Sequence, residues 1–391
     1  MEEKLFLDVD YNQVFKHGED IGGDSFMFKK IASKNRVIAV LSDGLGSGVK
    51  ANILASMTAT MALKFTEEKR DIVHFAEIIM DALPICQTRK ISYATFTIVD
   101  IHLDGYTKII EMDNPQFALV RNNKVLEIPF STTQSAKWEE RTLRISEFYM
   151  HANDYLAIFS DGVTQAGLGT VNHKQGFGEE NCKNFICDTI VNNQSITAND
   201  LSWKIVSEAI KKEPNYKAGD DITAAVFHLR KSKNLILYTG PAYHEENDKI
   251  IANELDSFLG AKVICGGSSA EIIAREWGKK IRLNTEGFKH DLPPTSYLQG
   301  VDLVTEGVFT LTRLLEYLEN QTGKHKVDPA GQLYKILLEH DKIHLLVGTK
   351  INVANQDPKM PVHLEFRKTL MMRLEKILRN NYFKEVTIEY Y

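Results

Sequence analysis

The sequence lacks the features that mark membrane, secreted and nucleic-acid-binding proteins. No run approaches the roughly 20 consecutive apolar residues that a transmembrane helix needs. The first residues, MEEKLFLDVDYNQ, are acidic and contain no apolar segment of the kind found in secretory signals. The formal net charge is −5, whereas general nucleic-acid binders usually carry a basic excess. We therefore expect a cytoplasmic protein that binds neither membrane nor nucleic acid.

Cysteine is also scarce, since the 391 residues include only four. They form no CxxC pair for zinc and are too few for a disulfide framework, so we expect reduced, mostly buried thiols. These cysteines are Cys86, Cys182, Cys187 and Cys265. The remaining composition, 43% hydrophobic and 25% charged, is typical of a globular protein, and the length suits two domains.

The first half of the chain has the pattern of a sheet with a few helices. Two strands with alternating apolar residues, DSFMFKK and RVIAVLSD, are followed by helical patterns over 49–65 and 72–83. Short strand-like runs separated by Gly, Asn and Pro continue to about residue 149, which indicates antiparallel sheet. The strand DYLAIFSDG then precedes predicted helices over 183–191 and 198–211 and the strand ITAAVFHL.

Beyond the basic junction RKSKN, strands and helices alternate, which predicts an α/β domain with a mostly parallel sheet. The predicted strands lie in LILYTG, AKVIC, VDLVTEG, HLLVGT and the terminal EVTIEYY. Helices are predicted between them, over 245–259, from about 269, over 311–318 and over 364–378. We place the boundary near Ser232, which gives domains 1–231 and 232–391.

Acidic residues occur in turns or at strand ends at four places in the first domain. Hard cations such as Mg²⁺ and Mn²⁺ prefer oxygen ligands, and a two-metal site needs several carboxylates to offset its charge. A single aspartate before glycine is usually only a turn residue, so the inference depends on the whole set. The segments DIGGDSF, SDGLGSG, SDGVTQ and GDDIT supply Asp24, Asp43, Asp161, Asp220 and Asp221.

In order and spacing, the motifs GGD, DGxGxG, SDG and DDxT resemble those of the PPM (PP2C-like) phosphatases, specifically the bacterial SpoIIE and RsbU branch. The resemblance covers roughly residues 10–230. It implies an antiparallel β-sandwich flanked by helices, with two Mn²⁺ or Mg²⁺ ions at one end.

Carried over by position, the resemblance also implies a role for each site residue. Asp43 resembles the ligand that bridges the two ions, and Asp24 resembles a ligand to one of them. Asp161 and Asp220 resemble ligands to the other ion. The unhindered backbone of the glycine after Asp43 would let its carbonyl face a metal as well. That glycine, Gly44, is therefore a candidate ligand, and Asp221 is either a further ligand or a supporting residue.

The implied activity is hydrolysis of phosphoserine or phosphothreonine in a protein, by direct attack of a hydroxide held between the two cations. The substrate would be a regulator in a bacterial partner-switching or stress pathway. Unlike the animal members, the chain has no arginine shortly before the first aspartate, which leaves Lys16 or His17 as the candidate phosphate contact. The alternative is a non-catalytic or partner-activated module whose C-terminal domain binds a small anionic ligand.

Three other patterns have competing interpretations. The run GLGSG lacks the third glycine of a dinucleotide-binding turn, and Asp43 would repel a pyrophosphate. His340 and His344 are four residues apart, but IHLLVG resembles a strand, so we interpret both as satisfied or solvated histidines rather than zinc ligands. In VICGGSSAE, either Ser268 or Ser269 caps a helix, or the glycines and serines hold an anion.

Overall fold

The computed structural model describes residues 5–31, 34–44, 46–68, 77–78, 94–134, 142–284, 292–320, 322–323, 326–350, 363–382 and 384–391. The chain forms two compact units, Met1–Lys231 and Ser232–Tyr391. None of the helices within the described ranges has the length and hydropathy of a membrane span. Cys86 and the helix predicted over 72–83 lie outside the described residues, apart from 77–78.

The first unit is built on two antiparallel sheets, as predicted. Its described strands are β1 (Leu5–Val14), β2 (Asp24–Ile31), β3 (Arg36–Gly44), β4 (Ala94–His102), β5 (Tyr106–Met112), β6 (Ala118–Arg121), β7 (Lys124–Leu126), β8 (Ser131–Gln134), β9 (Thr142–Tyr149), β10 (Asp154–Phe159) and β11 (Ile222–Lys231). Within the described ranges, one sheet has the order β1-β11-β10-β6-β7 and the other β2-β3-β4-β5-β9-β8.

The sheets face each other across an apolar core, and helices cover their outer faces. Leu41 and Val99 of one sheet share this core with Leu156 and Phe227 of the other. The helices are α1 (Gly48–Glu67), α2 (Asp161–Thr164), α3 (Glu179–Asn192) and α4 (Ala198–Lys212). Buried alanines of α1 pack on the β3–β4 sheet, while α3 and α4 pack on the sheet that contains β10 and β11. The predicted helix-flanked sandwich is confirmed.

The second unit is a three-layer α/β fold. Its strands are β12 (Asn234–Thr239), β13 (Ala261–Cys265), β14 (Arg282–Leu283), β15 (Ser296–Tyr297), β16 (Leu303–Thr305), β17 (Lys342–Val347) and β18 (Glu385–Tyr390). Its helices are α5 (Glu246–Ser257), α6 (Gly267–Trp277), α7 (Val308–Asn320), α8 (Pro329–Leu338) and α9 (His363–Asn380).

The sheet of the second unit has the order β14-β15-β16-β13-β12-β17-β18 among the described strands. The run from β16 to β18 is parallel, whereas β14 and β15 pair antiparallel. Helices α5 and α6 pack on one face, and α7, α8 and α9 pack on the other. The predicted mostly parallel sheet is therefore confirmed.

The described cysteines are free thiols. Cys182 and Cys265 are buried, and Cys187 is partly exposed. Burial raises the pKa of both buried thiols to about 12, so they stay protonated and unreactive near neutral pH. This agrees with the expected reduced, mostly buried state.

A buried ion pair joins β3, β4 and the end of α1. The Nε and Nη2 atoms of Arg36 donate to the two carboxylate oxygens of Asp100 at 2.6 Å each. Nη2 also donates to the Thr66 carbonyl at 2.9 Å. Arg36 is only 2% exposed, so loss of its partner would leave an uncompensated charge in the protein interior.

We therefore expect Asp100→Ala to lower the free energy of unfolding by about 3–5 kcal/mol, measured by urea denaturation. The control is Glu147→Ala, which breaks the more exposed ion pair between Glu147 and Lys108 and should cost less than about 1 kcal/mol. If both variants lost the same free energy of unfolding, the conclusion that the buried pair of Arg36 and Asp100 stabilises the fold more than an exposed pair would be contradicted.

Candidate metal centre

The first two predicted ligands lie side by side at one end of the β2–β3 ladder. Asp24 begins β2 and pairs directly with Asp43 near the end of β3. Asp24 is 3% exposed, and Asp43 is partly exposed. The ladder therefore places two carboxylates beside each other at the rim of the sandwich.

The other two predicted ligands come from the opposite sheet. Asp161 is the first residue of α2, just after β10, and Asp220 lies just before β11. These ends are joined because the Ser160 amide donates to the Thr223 carbonyl at 3.0 Å. The Thr223 hydroxyl donates to Asp24 Oδ2 at 2.6 Å, which links the two sheets at the site.

Electrostatic coupling shows that the four carboxylates form one group. Burial raises the pKa of Asp43 to about 10, and repulsion from Asp24, Asp161 and Asp220 adds to the shift. Burial likewise raises the pKa of Asp24 to about 7, although the hydrogen bond from Thr223 opposes the change. The pKa of Asp220 is also raised, mainly by loss of hydration and further by Asp161.

This group has the character of a cation site. Asp24 Oδ1 is buried and has no hydrogen-bond partner among the described residues. Within the described ranges, no ion pair joins Asp24, Asp43, Asp161 or Asp220 to a basic side chain. Clustered carboxylate oxygens without a neutralising partner are the ligands that Mg²⁺ and Mn²⁺ prefer.

Asp221 differs from the other four aspartates because both its oxygens are already occupied. Oδ1 accepts from the backbone amide of Lys16 at 3.0 Å, and Oδ2 accepts from that of Gly23 at 2.6 Å. Asp221 is 4% exposed. These contacts fasten the segment before Asp24 to the start of β11, which favours the supporting role over metal coordination.

Close backbone contacts account for the glycines that follow Asp43 and Asp161. A Cβ on Gly44 would lie 2.0 Å from the carbonyl oxygen of Ala51 in α1. A Cβ on Gly162 would lie 2.0 Å from the carbonyl oxygen of Asp221. Both glycines are thus required by packing, a reason distinct from the carbonyl coordination predicted for Gly44, which stays a prediction.

Residues without a predicted role also position the carboxylates. Thr223 is the threonine of the DDxT motif, and Gln165 ends the segment SDGVTQ. Gln165 Nε2 donates to Asp161 Oδ2 at 2.9 Å. The position of both residues inside the sequence motifs was the available sign of a role. Their hydrogen-bond partners are apparent only from the structure.

The structure does not bring His340 and His344 together. His340 Nδ1 contacts the Ile336 carbonyl at 2.6 Å, whereas His344 lies on β17 and contacts Glu254 and Thr387. Each imidazole therefore has its own polar partners.

Helix α6 begins within the segment VICGGSS, and the prediction that a serine caps it is not confirmed for Ser269. Ser269 Oγ accepts from the amide of Gly240 at 2.8 Å and makes no capping bond to α6. Ser269 therefore joins the end of β12 to α6. At the neighbouring junction, Glu306 caps α7 by accepting from the Phe309 amide at 3.0 Å.

Residues 33–230, just over half of the chain, match the family model of Stage II sporulation protein E (SpoIIE). The matched region includes Asp43, Asp161 and Asp220, together with Gln165, which bonds Asp161, and Thr223, which bonds Asp24. The chain belongs to the SpoIIE family. Asp24 lies just before the matched region and joins the site through its pairing with Asp43.

A curated SpoIIE-family relative is Stage II sporulation protein E of Bacillus subtilis (strain 168), which is 24% identical over 160 residues. That match covers 40% of this chain and about a fifth, 19%, of the relative.

Solved structures with similar folds include the phosphatase domain of SpoIIE from Bacillus subtilis in a crystal form without domain swapping. It is 18% identical, with a TM-score of 0.44, and the match covers 59% of this chain and 95% of that one. RsbX in complex with magnesium is also 18% identical, with a TM-score of 0.38, covering 57% of this chain and 95% of that one. Both scores are below 0.5, so the family assignment rests on the sequence match.

The raised pKa values predict how the metal-free protein responds to pH. An unfolded aspartate has a pKa near 4, so the folded state is favoured while Asp24 and Asp43 are protonated. Stability should fall as the pH rises through the window from about 4 to about 7 for Asp24 and on to about 10 for Asp43. Asp43→Asn removes one contribution, so its stability should fall less.

The measurement is urea unfolding in EDTA at pH 5 and pH 8. We expect Asp43→Asn to lose at least about 1 kcal/mol less than the wild type between these values. Asp188→Asn, an exposed position on α3, is the matched control and should behave as the wild type. If Asp43→Asn and the wild type lost the same free energy of unfolding between pH 5 and pH 8, the raised pKa assigned to Asp43 would be contradicted.

Proposed function

We propose that the first unit is a divalent-metal-dependent phosphatase that hydrolyses phosphoserine or phosphothreonine in a protein substrate. The observation that carries the proposal is the convergence of Asp24, Asp43, Asp161 and Asp220 at one rim of the sandwich. Their chain positions span most of the unit, and the buried oxygen of Asp24 has no partner among the described residues. Membership of the SpoIIE family and the magnesium bound by RsbX support it.

Each of the four carboxylates would contribute a metal ligand. Asp43 would bridge two Mn²⁺ or Mg²⁺ ions, with Asp24 on one ion and Asp161 and Asp220 on the other. Such ions lower the pKa of bound water and offset charge on a phosphoryl group. Thr223 orients Asp24, and Gln165 orients Asp161. In this proposal Asp221 is a tether and not a ligand.

Lys16 is the best-placed group to contact the substrate phosphate. Its positive charge partly opposes the rise in the pKa of Asp220, so it acts on the carboxylate cluster. Its backbone amide is fixed by Asp221 at 3.0 Å. His17, the other candidate, is exposed, and only its backbone amide bonds inward, to the Ala218 carbonyl at 2.9 Å. A positively charged side chain beside the metal ions would form a charge-assisted hydrogen bond to the phosphate of the substrate.

The substrate is proposed to be a regulatory phosphoprotein. One similar structure belongs to a protein described as a cell fate determinant, another comprises the RsbU and RsbW domains of a Mycobacterium tuberculosis protein, and a third is RsbX. These proteins are the basis for expecting a partner-switching or stress regulator. The second unit is proposed to regulate the phosphatase or to recruit this substrate.

The decisive experiment is hydrolysis of a phosphoserine peptide by the full chain with and without Mn²⁺. We expect metal-dependent turnover in the wild type and a loss of at least about 100-fold in Asp43→Asn, which keeps the side-chain shape but removes the central charge. Asp188→Asn should retain full activity. Absence of activity in the wild type with Mn²⁺, Mg²⁺ and several substrates would favour the non-catalytic or partner-activated alternative.

A second experiment tests Lys16. We expect Lys16→Ala to lower kcat/KM for the peptide by roughly 10–100-fold, because one charge-assisted contact to phosphate is lost. Lys16→Arg should restore much of it, and His17→Ala should have little effect. The affinity for Mn²⁺ alone should not fall in Lys16→Ala. A larger effect of His17→Ala than of Lys16→Ala would reverse the assignment.

A further inference from the structure

A second group of potential metal ligands lies in the other unit and does not depend on the phosphatase proposal. It comprises Glu254 on α5, His344 on β17 and Glu389 on β18. One ligand atom from each residue lies within 4.8 Å of the other two. Because the residues come from a helix and two neighbouring strands, their convergence is a product of the fold and not of local sequence.

The strand register directs these side chains to one face. His344 is paired with Ile236 and Thr387, and Glu389 lies two residues beyond Thr387 on the same strand. Ile236 packs in the core beneath α5 and α6. Since side chains two residues apart on a strand share a face, His344, Thr387 and Glu389 all lie on the side that α5 covers.

The imidazole of His344 is oriented as in many metal sites. Its Nδ1 contacts the Thr387 hydroxyl at 2.5 Å, which leaves Nε2 facing the carboxylates. Nε2 is 3.1 Å from Glu254 Oε1 and 3.7 Å from Glu389 Oε1. Metal-binding histidines commonly fix their second nitrogen with a polar partner in this way.

These separations suit a tetrahedral ion. Nitrogen and oxygen ligands about 2.0–2.1 Å from Zn²⁺ lie about 3.4 Å from one another in a tetrahedral arrangement. The two distances from Nε2, 3.1 and 3.7 Å, lie on either side of that value. The ligand oxygens of the two glutamates lie within 4.8 Å of each other, so side-chain movement would bring all three ligand atoms around a single ion.

The two glutamates also lack a sufficient positive partner. The Tyr391 hydroxyl lies 3.1 Å from Glu254 Oε2 and 3.1 Å from Glu389 Oε2, but it has one proton to donate. In the described part of the chain, neither glutamate forms an ion pair with lysine or arginine. Two carboxylates and one imidazole thus converge on a point that needs a cation.

We propose that Glu254, His344 and Glu389 form a binding site for a divalent transition-metal ion of the Zn²⁺ class, with a position left open to solvent. One imidazole with two carboxylates suits zinc better than the all-oxygen set that magnesium prefers. A bound ion joins α5 to the strand β18 and so fastens the C-terminal strand of the described sheet. The Glu389 side chain is 52% exposed, which gives the ion a path from solvent.

The test is the Zn²⁺ stoichiometry and affinity of the full chain by equilibrium dialysis at pH 7.5. The wild type should bind one equivalent more than His344→Asn, or bind that equivalent at least tenfold more tightly. His340→Asn is the matched control, since His340 lies four residues away and contacts only a backbone carbonyl. It should bind as the wild type does. Because each result is a difference between variants, zinc held by the aspartate site or by thiols cancels.

Glu389→Gln provides a second variant that keeps shape at an exposed position, and it should lose the same equivalent while its far-UV circular dichroism is unchanged. Hydrogen exchange gives an independent readout, because Zn²⁺ should slow exchange in 385–391 in the wild type and not in Glu389→Gln. Equal zinc binding by the wild type, His344→Asn and Glu389→Gln would overturn the proposal. That result would leave the contact between His344 and Glu254 as a hydrogen bond without a metal ion.

Discussion

The burial of four clustered carboxylates, with the repulsion among them, is the constraint on which the rim of the first unit depends. Burial first, and then repulsion from Asp24, Asp161 and Asp220, raises the pKa of Asp43 to about 10. No unfolded or loosely folded chain would keep these charges together, so the surrounding structure must supply the free energy that holds them. In the proposed site a divalent cation would offset that cost, because the same carboxylates would serve as its ligands.

The restraints that oppose this repulsion are short and mostly buried. Thr223 binds Asp24 across the two sheets at 2.6 Å, and Asp221 holds the Gly23 amide at 2.6 Å. Gly44 and Gly162 allow the backbone to approach Ala51 and Asp221 where a Cβ would collide. These contacts position the rim without a bound ion, and in the proposed site such preorganisation would reduce the rearrangement that binding requires.

Much of this could be predicted from the sequence, because strands with period-two alternation and aspartates at their ends leave strong local signals. The antiparallel strands of the first unit and the parallel sheet of the second were predicted in this way, whereas the two-sheet sandwich was implied by the resemblance to the PPM phosphatases. The contacts of Asp221 and Ser269 could not be, since each binds a backbone amide far along the chain. The Glu254 and His344 pair is separated by 90 residues, and no local periodicity links such positions.

The two acidic groups differ in chemistry in a way that bears on metal choice. The rim of the first unit offers oxygens alone, with a buried Asp24, and oxygen sets suit hard ions that retain water ligands. The group in the second unit contains an imidazole and a half-exposed glutamate, and nitrogen donors raise affinity for ions later in the first-row series. Relative to the oxygen-only rim, the group that contains the imidazole would discriminate more strongly in favour of Zn²⁺ over Mg²⁺. Such discrimination arises from ligand type alone and requires no contact between the units.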